Sequence, residues 1–117
     1  MDVVNLMRDA KPFTTKDGST IRELMHTEAQ SLAEATLAPG QGTQRHYHAR
    51  SEELYFFVEG GGEMEVDGEE RRVGAGDTVL IPPGARHSIV AGKSGARFLC
   101  CCAPSYSHDD TYFDSDD

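Results

Sequence analysis

Short runs of β-prone residues alternate along this chain with glycine and proline clusters, and helical periodicity is weak throughout. Pro39-Gly40, Gly60-Gly61-Gly62, Gly74-Ala75-Gly76, Pro82-Pro83-Gly84 and Gly92 punctuate it. Each cluster supplies backbone geometry that ordinary residues resist, so each reads as a turn. The intervals between them predict strands at 20–26, 31–38, 45–48, 53–59, 63–66, 69–73, 78–81, 87–90 and 96–102. Many short strands at close spacing restrict the fold to an all-β sandwich or barrel. Asp67-Gly68 is the clearest turn, because a two-residue hairpin loop favours residues that tolerate positive φ at both positions. Residues 1–12 are expected to add an edge strand, open to pairing with a neighbouring subunit.

The chain has 117 residues, enough for one domain. No run is long enough to span a membrane, and the N-terminal MDVVNLMRDAKPF lacks the regions of a signal peptide. A cytoplasmic location is the expectation. The formal charge of −9 argues against nucleic acid as a partner. That charge is uneven: five of the last nine residues are Asp, with no Lys or Arg among them. Residues 105–117 are therefore expected to form a solvated acidic tail, with SYSHDDTYF able to fold over the domain as a lid. Cys100, Cys101 and Cys102 are consecutive, so neighbours point to opposite faces of a strand and all three cannot share one ion. They are expected to be free thiols, with a redox role for Cys102 as the alternative.

Two of the five histidines stand at alternate positions, His46 and His48. On a strand they project to one face, with Tyr47 on the other. Two adjacent acids follow, Glu52 and Glu53, and only one can share that face. Alternation does not decide between them, because Leu54, Phe56 and Val58 follow Glu52 while Tyr55 and Phe57 follow Glu53.

The spacing resembles the two motifs of the cupin family. The first is a glycine, five residues, His-x-His, three or four residues, Glu, six residues and Gly, and Gly40, His46, His48, Glu53 and Gly60 match it. Glu52 does not fit that spacing. The second is met by Gly76, Pro82, Gly84 and His87, with Ala91 where the family has Asn. The resemblance implies a single-domain jelly-roll barrel over residues 1–104, with its motifs at 40–60 and 76–91. It also implies one divalent transition-metal ion held by His46, His48, Glu53 and His87. Three imidazoles and a carboxylate suit Mn, Fe, Co, Ni, Cu or Zn and are wrong for calcium.

Parity then places Tyr55, Phe57, Ile89, Phe98, Cys100 and Cys102 around the ion, a mostly apolar lining suited to a small organic substrate. Arg22, Glu34 and Arg86 are the further polar candidates, and His26 and His108 are expected at the surface. An oxidoreductase of dioxygenase type is the first functional expectation. The second is a non-redox isomerase, lyase or cyclase, in which the ion polarises a carbonyl or enediol and Tyr55 or Glu34 moves a proton. The third is a binding module for a sugar or metabolite, without catalysis. Leu54, Phe56 and Val58 point outward if Tyr55 and Phe57 point inward, which predicts a homodimer.

Overall fold

The computed structural model describes residues 1–114 and consists almost wholly of antiparallel strands. In chain order they are β1 (Phe13–Thr14), β2 (Thr20–His26), β3 (Ser31–Leu37), β4 (His46–His48) and β5 (Glu52–Val66). They continue with β6 (Glu69–Gly74), β7 (Thr78–Ile81), β8 (His87–Ala103) and β9 (Thr111–Phe113). β8 is the hub, pairing with β3, β4 and β5. Asp67 and Gly68 turn β5 into β6 with φ of 48° and 88°, as the Asp-Gly signal predicts.

Two expected breaks are absent. Gly60-Gly61-Gly62 lies inside β5 and Gly92 inside β8, so four predicted strands become two long ones that pair along their whole length. Glu53 is registered with Cys102 near one end of this ribbon, and His87 with Val66 at the other. Yet Glu53 Oε1 and His87 Nε2 are 3.4 Å apart, so the ribbon folds over on itself. The fold falls at register shifts between Phe57 and Glu59 and between Gly60 and Gly62. A Cβ at Gly60, Gly61 or Gly62 would run into the carbonyl oxygen of Gly95, Val73 or Val90 respectively. Glycine here serves a close backbone approach inside a bent strand and does not end it.

Phe57, Phe98, Leu37, Ile81 and Ile89 fill the concave side, all buried. Among the described residues no helix is long and apolar enough to cross a membrane.

Both ends of the chain depart from expectation. Residues 1–12 form no strand; Asn5 instead caps a local turn, its Oδ1 accepting from the amides of Met7 and Arg8. The acidic segment is not simply solvated. After a 3-10 turn at His108–Asp110, β9 pairs with β4, registering Thr111 with His48 and Phe113 with His46. Asp110, Thr111 and Phe113 are buried. The reason is local: the Asp110 carboxylate accepts from the amides of Ala49, Arg50 and Ser51, which no strand partner satisfies in the β4–β5 turn. Asp116 and Asp117 lie outside the described residues.

Candidate metal centre

β4 delivers His46 and His48 to the concave face, the first residue of β8 delivers His87, and β5 delivers Glu53. All four are buried, whereas Glu52 is exposed. The three histidines each bring one ring nitrogen to within 4.8 Å of the other two, close enough to hold one metal ion. Glu53 Oε1 lies 3.4 Å from Nε2 of both His48 and His87.

The far side of each ring is tied to the backbone. His46 Nδ1 is 2.8 Å from the Gln44 carbonyl oxygen and His87 Nδ1 is 3.0 Å from that of Ala85. His48 Nδ1 is 3.3 Å from the Asp110 carbonyl oxygen and from Thr111 Oγ1. The Thr111 hydroxyl donates to Ser107, so toward His48 its oxygen accepts. Carbonyl oxygens only accept, so each Nδ1 carries hydrogen and, in the neutral rings, each Nε2 lone pair faces inward. Two atoms at the centre, Glu53 Oε1 and His87 Nε2, are buried without a hydrogen-bond partner. Buried polar atoms are costly when unmatched, and a cation between them is the group that would match them.

The titration behaviour follows from this packing. Burial, reinforced by the charge of His87, pushes His46 down to about 4, so that ring is neutral near pH 7. Burial also works against charge on His48, but the Glu53 carboxylate and Asp110 outweigh it and move that ring upward. Burial would raise Glu53, yet the His48 and His87 imidazoles hold its carboxyl well below the usual range. Its other oxygen, Oε2, accepts from Cys102 Sγ at 3.2 Å. Burial, then the Glu53 charge, raises the Tyr55 phenol and the Cys100 and Cys102 thiols, so all three stay protonated.

Beside the histidines lies a cavity of about 60 Å³, room for roughly four or five waters. Tyr55, Phe98, Cys100 and Cys102 line it, as parity predicts, whereas Phe57 and Ile89 are buried in the core and do not. Glu34 does not. Its neighbours Ala33 and Ala35 face the cavity, so Glu34 faces away. It is buried there by Arg97 at 2.9 Å and Arg22 at 3.7 Å, an ion-pair role. Arg22 is therefore also off the site. Arg86 stacks on the outward ring of Tyr47, 3.9 Å from its centroid. His26 and His108 are exposed, as expected, although His108 Nδ1 is 2.9 Å from the hydroxyl of Tyr106.

Among the wall residues that sequence reasoning missed, three bring polar groups close to the histidines. Tyr106 and Thr111 come from the supposed tail, and Asp17 comes from the β1–β2 turn, with its Oδ2 3.7 Å from His46 Nε2. Only Asp17-Gly18 carried a signal, as a turn dipeptide, and nothing in the spacing connects it with His46.

A family model described as the cupin domain matches residues 33–102, which span both motifs. The uncharacterized protein MJ1618 of Methanocaldococcus jannaschii is 48% identical over 107 residues, covering 86% of each chain. The dimethylsulfoniopropionate lyase DddW of Ruegeria pomeroyi is 37% identical over 67 residues, covering 57% of this chain and 43% of the lyase. Among solved structures, an RmlC-like cupin from Shewanella frigidimarina superposes with a TM-score of 0.80 at 20% identity, over 93% of this chain and 96% of that one. The jelly-roll β-fold and the two spaced motifs agree with these matches: the chain belongs to the cupin domain family.

Proposed function

We propose that this chain is a metal-dependent enzyme acting on a small oxygen-bearing organic molecule, in a non-redox reaction of lyase, isomerase or cyclase type. The observation that carries the metal is the convergence of three Nε2 atoms on a point flanked by the unpartnered Glu53 Oε1. His46, His48, His87 and Glu53 would hold one divalent transition-metal ion. When bound, such an ion supplies Lewis acidity toward a carbonyl or carboxylate oxygen. The residues around it do the rest. Cys102 fixes the unused oxygen of Glu53, and the backbone carbonyls behind each ring fix the imidazoles. Tyr55, kept protonated, is a hydrogen-bond donor toward the cavity and not a base. The small apolar cavity admits a compact substrate and little water beside it.

We favour this class over the dioxygenase expectation because a relative 37% identical over 57% of this chain is a named lyase. Elemental analysis of protein purified without chelator should find about one transition-metal ion per chain, and His48→Ala should lose it. Metal-free wild-type protein whose melting temperature is insensitive to added Zn, Mn, Fe, Co, Ni or Cu would refute the metal site. Oxygen consumption coupled to turnover would return the reaction to the oxidoreductase class.

A further inference from the structure

We propose that Asp17 is a specificity-determining carboxylate of this centre, accepting a hydrogen bond from a hydroxyl group of the small molecule that enters the cavity. The ligand class is then a hydroxyl-bearing molecule and not one that lacks the hydroxyl. This rests on the metal-site reading above.

The two oxygens of Asp17 have different surroundings. Oδ1 accepts three hydrogen bonds, from Thr15 Oγ1 at 2.6 Å, Ser19 N at 2.9 Å and Ser19 Oγ at 2.6 Å. Oδ2 accepts none within the described residues and meets only His46 Nε2, at 3.7 Å. That nitrogen cannot serve it. His46 Nδ1 holds the ring hydrogen against the Gln44 carbonyl, so Nε2 turns a lone pair toward Oδ2. Two acceptors face each other there, and no donor among the described residues serves Oδ2, which leaves it to a ligand.

The carboxylate is held there firmly. The Asp17 carbonyl accepts from the Gln44 amide at 2.9 Å, two residues before His46, and the Gly18 carbonyl accepts from Gln41 Nε2 at 2.6 Å. The turn is thus fastened to the segment that carries the histidines. Asp17 also differs from Glu53, which lies against two imidazoles and keeps only 6% of its side chain open; the Asp17 side chain touches one and keeps 16% open. It stands on the side a ligand would approach.

Asp17→Asn is an informative change. The three donors around Oδ1 fix the amide oxygen there, which places the NH2 group at the Oδ2 position. An acceptor becomes a donor while the turn keeps its bonds. Zinc-loaded wild type and Asp17→Asn are titrated calorimetrically with glycolate and with acetate, which differ by one hydroxyl. The expected result is one zinc per chain in both proteins, unchanged acetate affinity, and glycolate affinity reduced about tenfold or more in the variant. Zinc lost from the variant would make Asp17 a metal ligand and overturn the proposal. Equal glycolate affinity in the two proteins, or a parallel fall for both acids, would overturn it as well. Wild-type protein that takes up no zinc would overturn both this role and the metal site beneath it.

Discussion

Glu52 and Glu53 share a charge and a peptide bond, and the strand sends one to solvent and the other into the centre. Glu52→Gln should therefore change stability by no more than about 0.5 kcal/mol and leave metal content intact. Glu53→Gln should weaken metal binding at least about tenfold, because a neutral amide replaces an anion lying against two imidazoles. Chelator competition followed by elemental analysis measures the second effect and thermal denaturation the first. The reverse pattern would mean a register slip of one residue along β5. Strand parity and motif spacing made the three histidines, Glu53 and the aromatic lining legible in the sequence. They failed for Glu34, whose burial comes from two arginines on the other side of the sheet and not from the cavity. They were silent on Asp17, since only folding joins the β1–β2 turn to a strand 29 positions further along the chain. Spacing rules describe neighbours on one element, and Asp17 and His46 are neighbours only in space.

At the level of elements, strand positions were largely legible and strand ends were not. β2 and β7 coincide with their predicted spans, while the glycine-rich breaks inside β5 and β8 turned out to be a fold in a continuous ribbon. Glycine has two uses in a β-protein, ending a strand and letting backbones touch, and composition does not separate them. The structure predicts a sharp contrast between two such positions. Gly61→Ala should destabilise the domain by about 3 kcal/mol or more, since its Cβ meets the Val73 carbonyl and its φ is 155°. Gly92→Ala, with its nearest neighbour at 3.6 Å and no positive φ, should cost under about 1 kcal/mol. Urea denaturation of both variants checks this, and similar values would mean that the ribbon does not bend at Gly61. The C-terminal segment was illegible for a different reason. Its acidic composition reads as solvated, but one of its carboxylates, Asp110, gathers the three amides of the β4–β5 turn. Asp110→Ala leaves the buried Ser51 amide without that partner and the amides of the exposed Ala49 and Arg50 to water, and should cost about 1–3 kcal/mol. It should also weaken metal binding, because His48 leans on the Asp110 backbone and on Thr111. A variant as stable and as metal-competent as wild type would show that the segment is dispensable.

The whole molecule presents an apolar strip on the outside of the sheet, opposite the cavity. Leu54 and Leu80 are registered across β5 and β7, and Leu54 with Cys101 and Phe56 with Leu99 across β5 and β8. Leu54, Phe56 and Leu80 keep 39%, 40% and 52% of their surface exposed. Neighbouring large apolar side chains left open on a small domain usually mark an interface, and a two-fold axis lets one strip cover another copy of itself. Within one chain residues 1–12 form no strand and are mostly exposed, so the strip carries the prediction without them. The charge of −9 per chain opposes the association, so the dimer should strengthen with added salt. Light scattering at micromolar concentration and moderate salt should give about twice the 12.8 kDa chain mass. Phe56→Glu should give the single-chain mass, because it places a charge where two strips meet. Cys101 offers a second readout, being an exposed free thiol within the strip. Its reaction with a bulky thiol reagent should be slow in wild type and fast in Phe56→Glu, while the buried Cys102 changes little. Equal Cys101 rates in two proteins of different mass would place the interface elsewhere. A single-chain mass for wild type at every salt concentration would leave the strip facing water and refute the dimer.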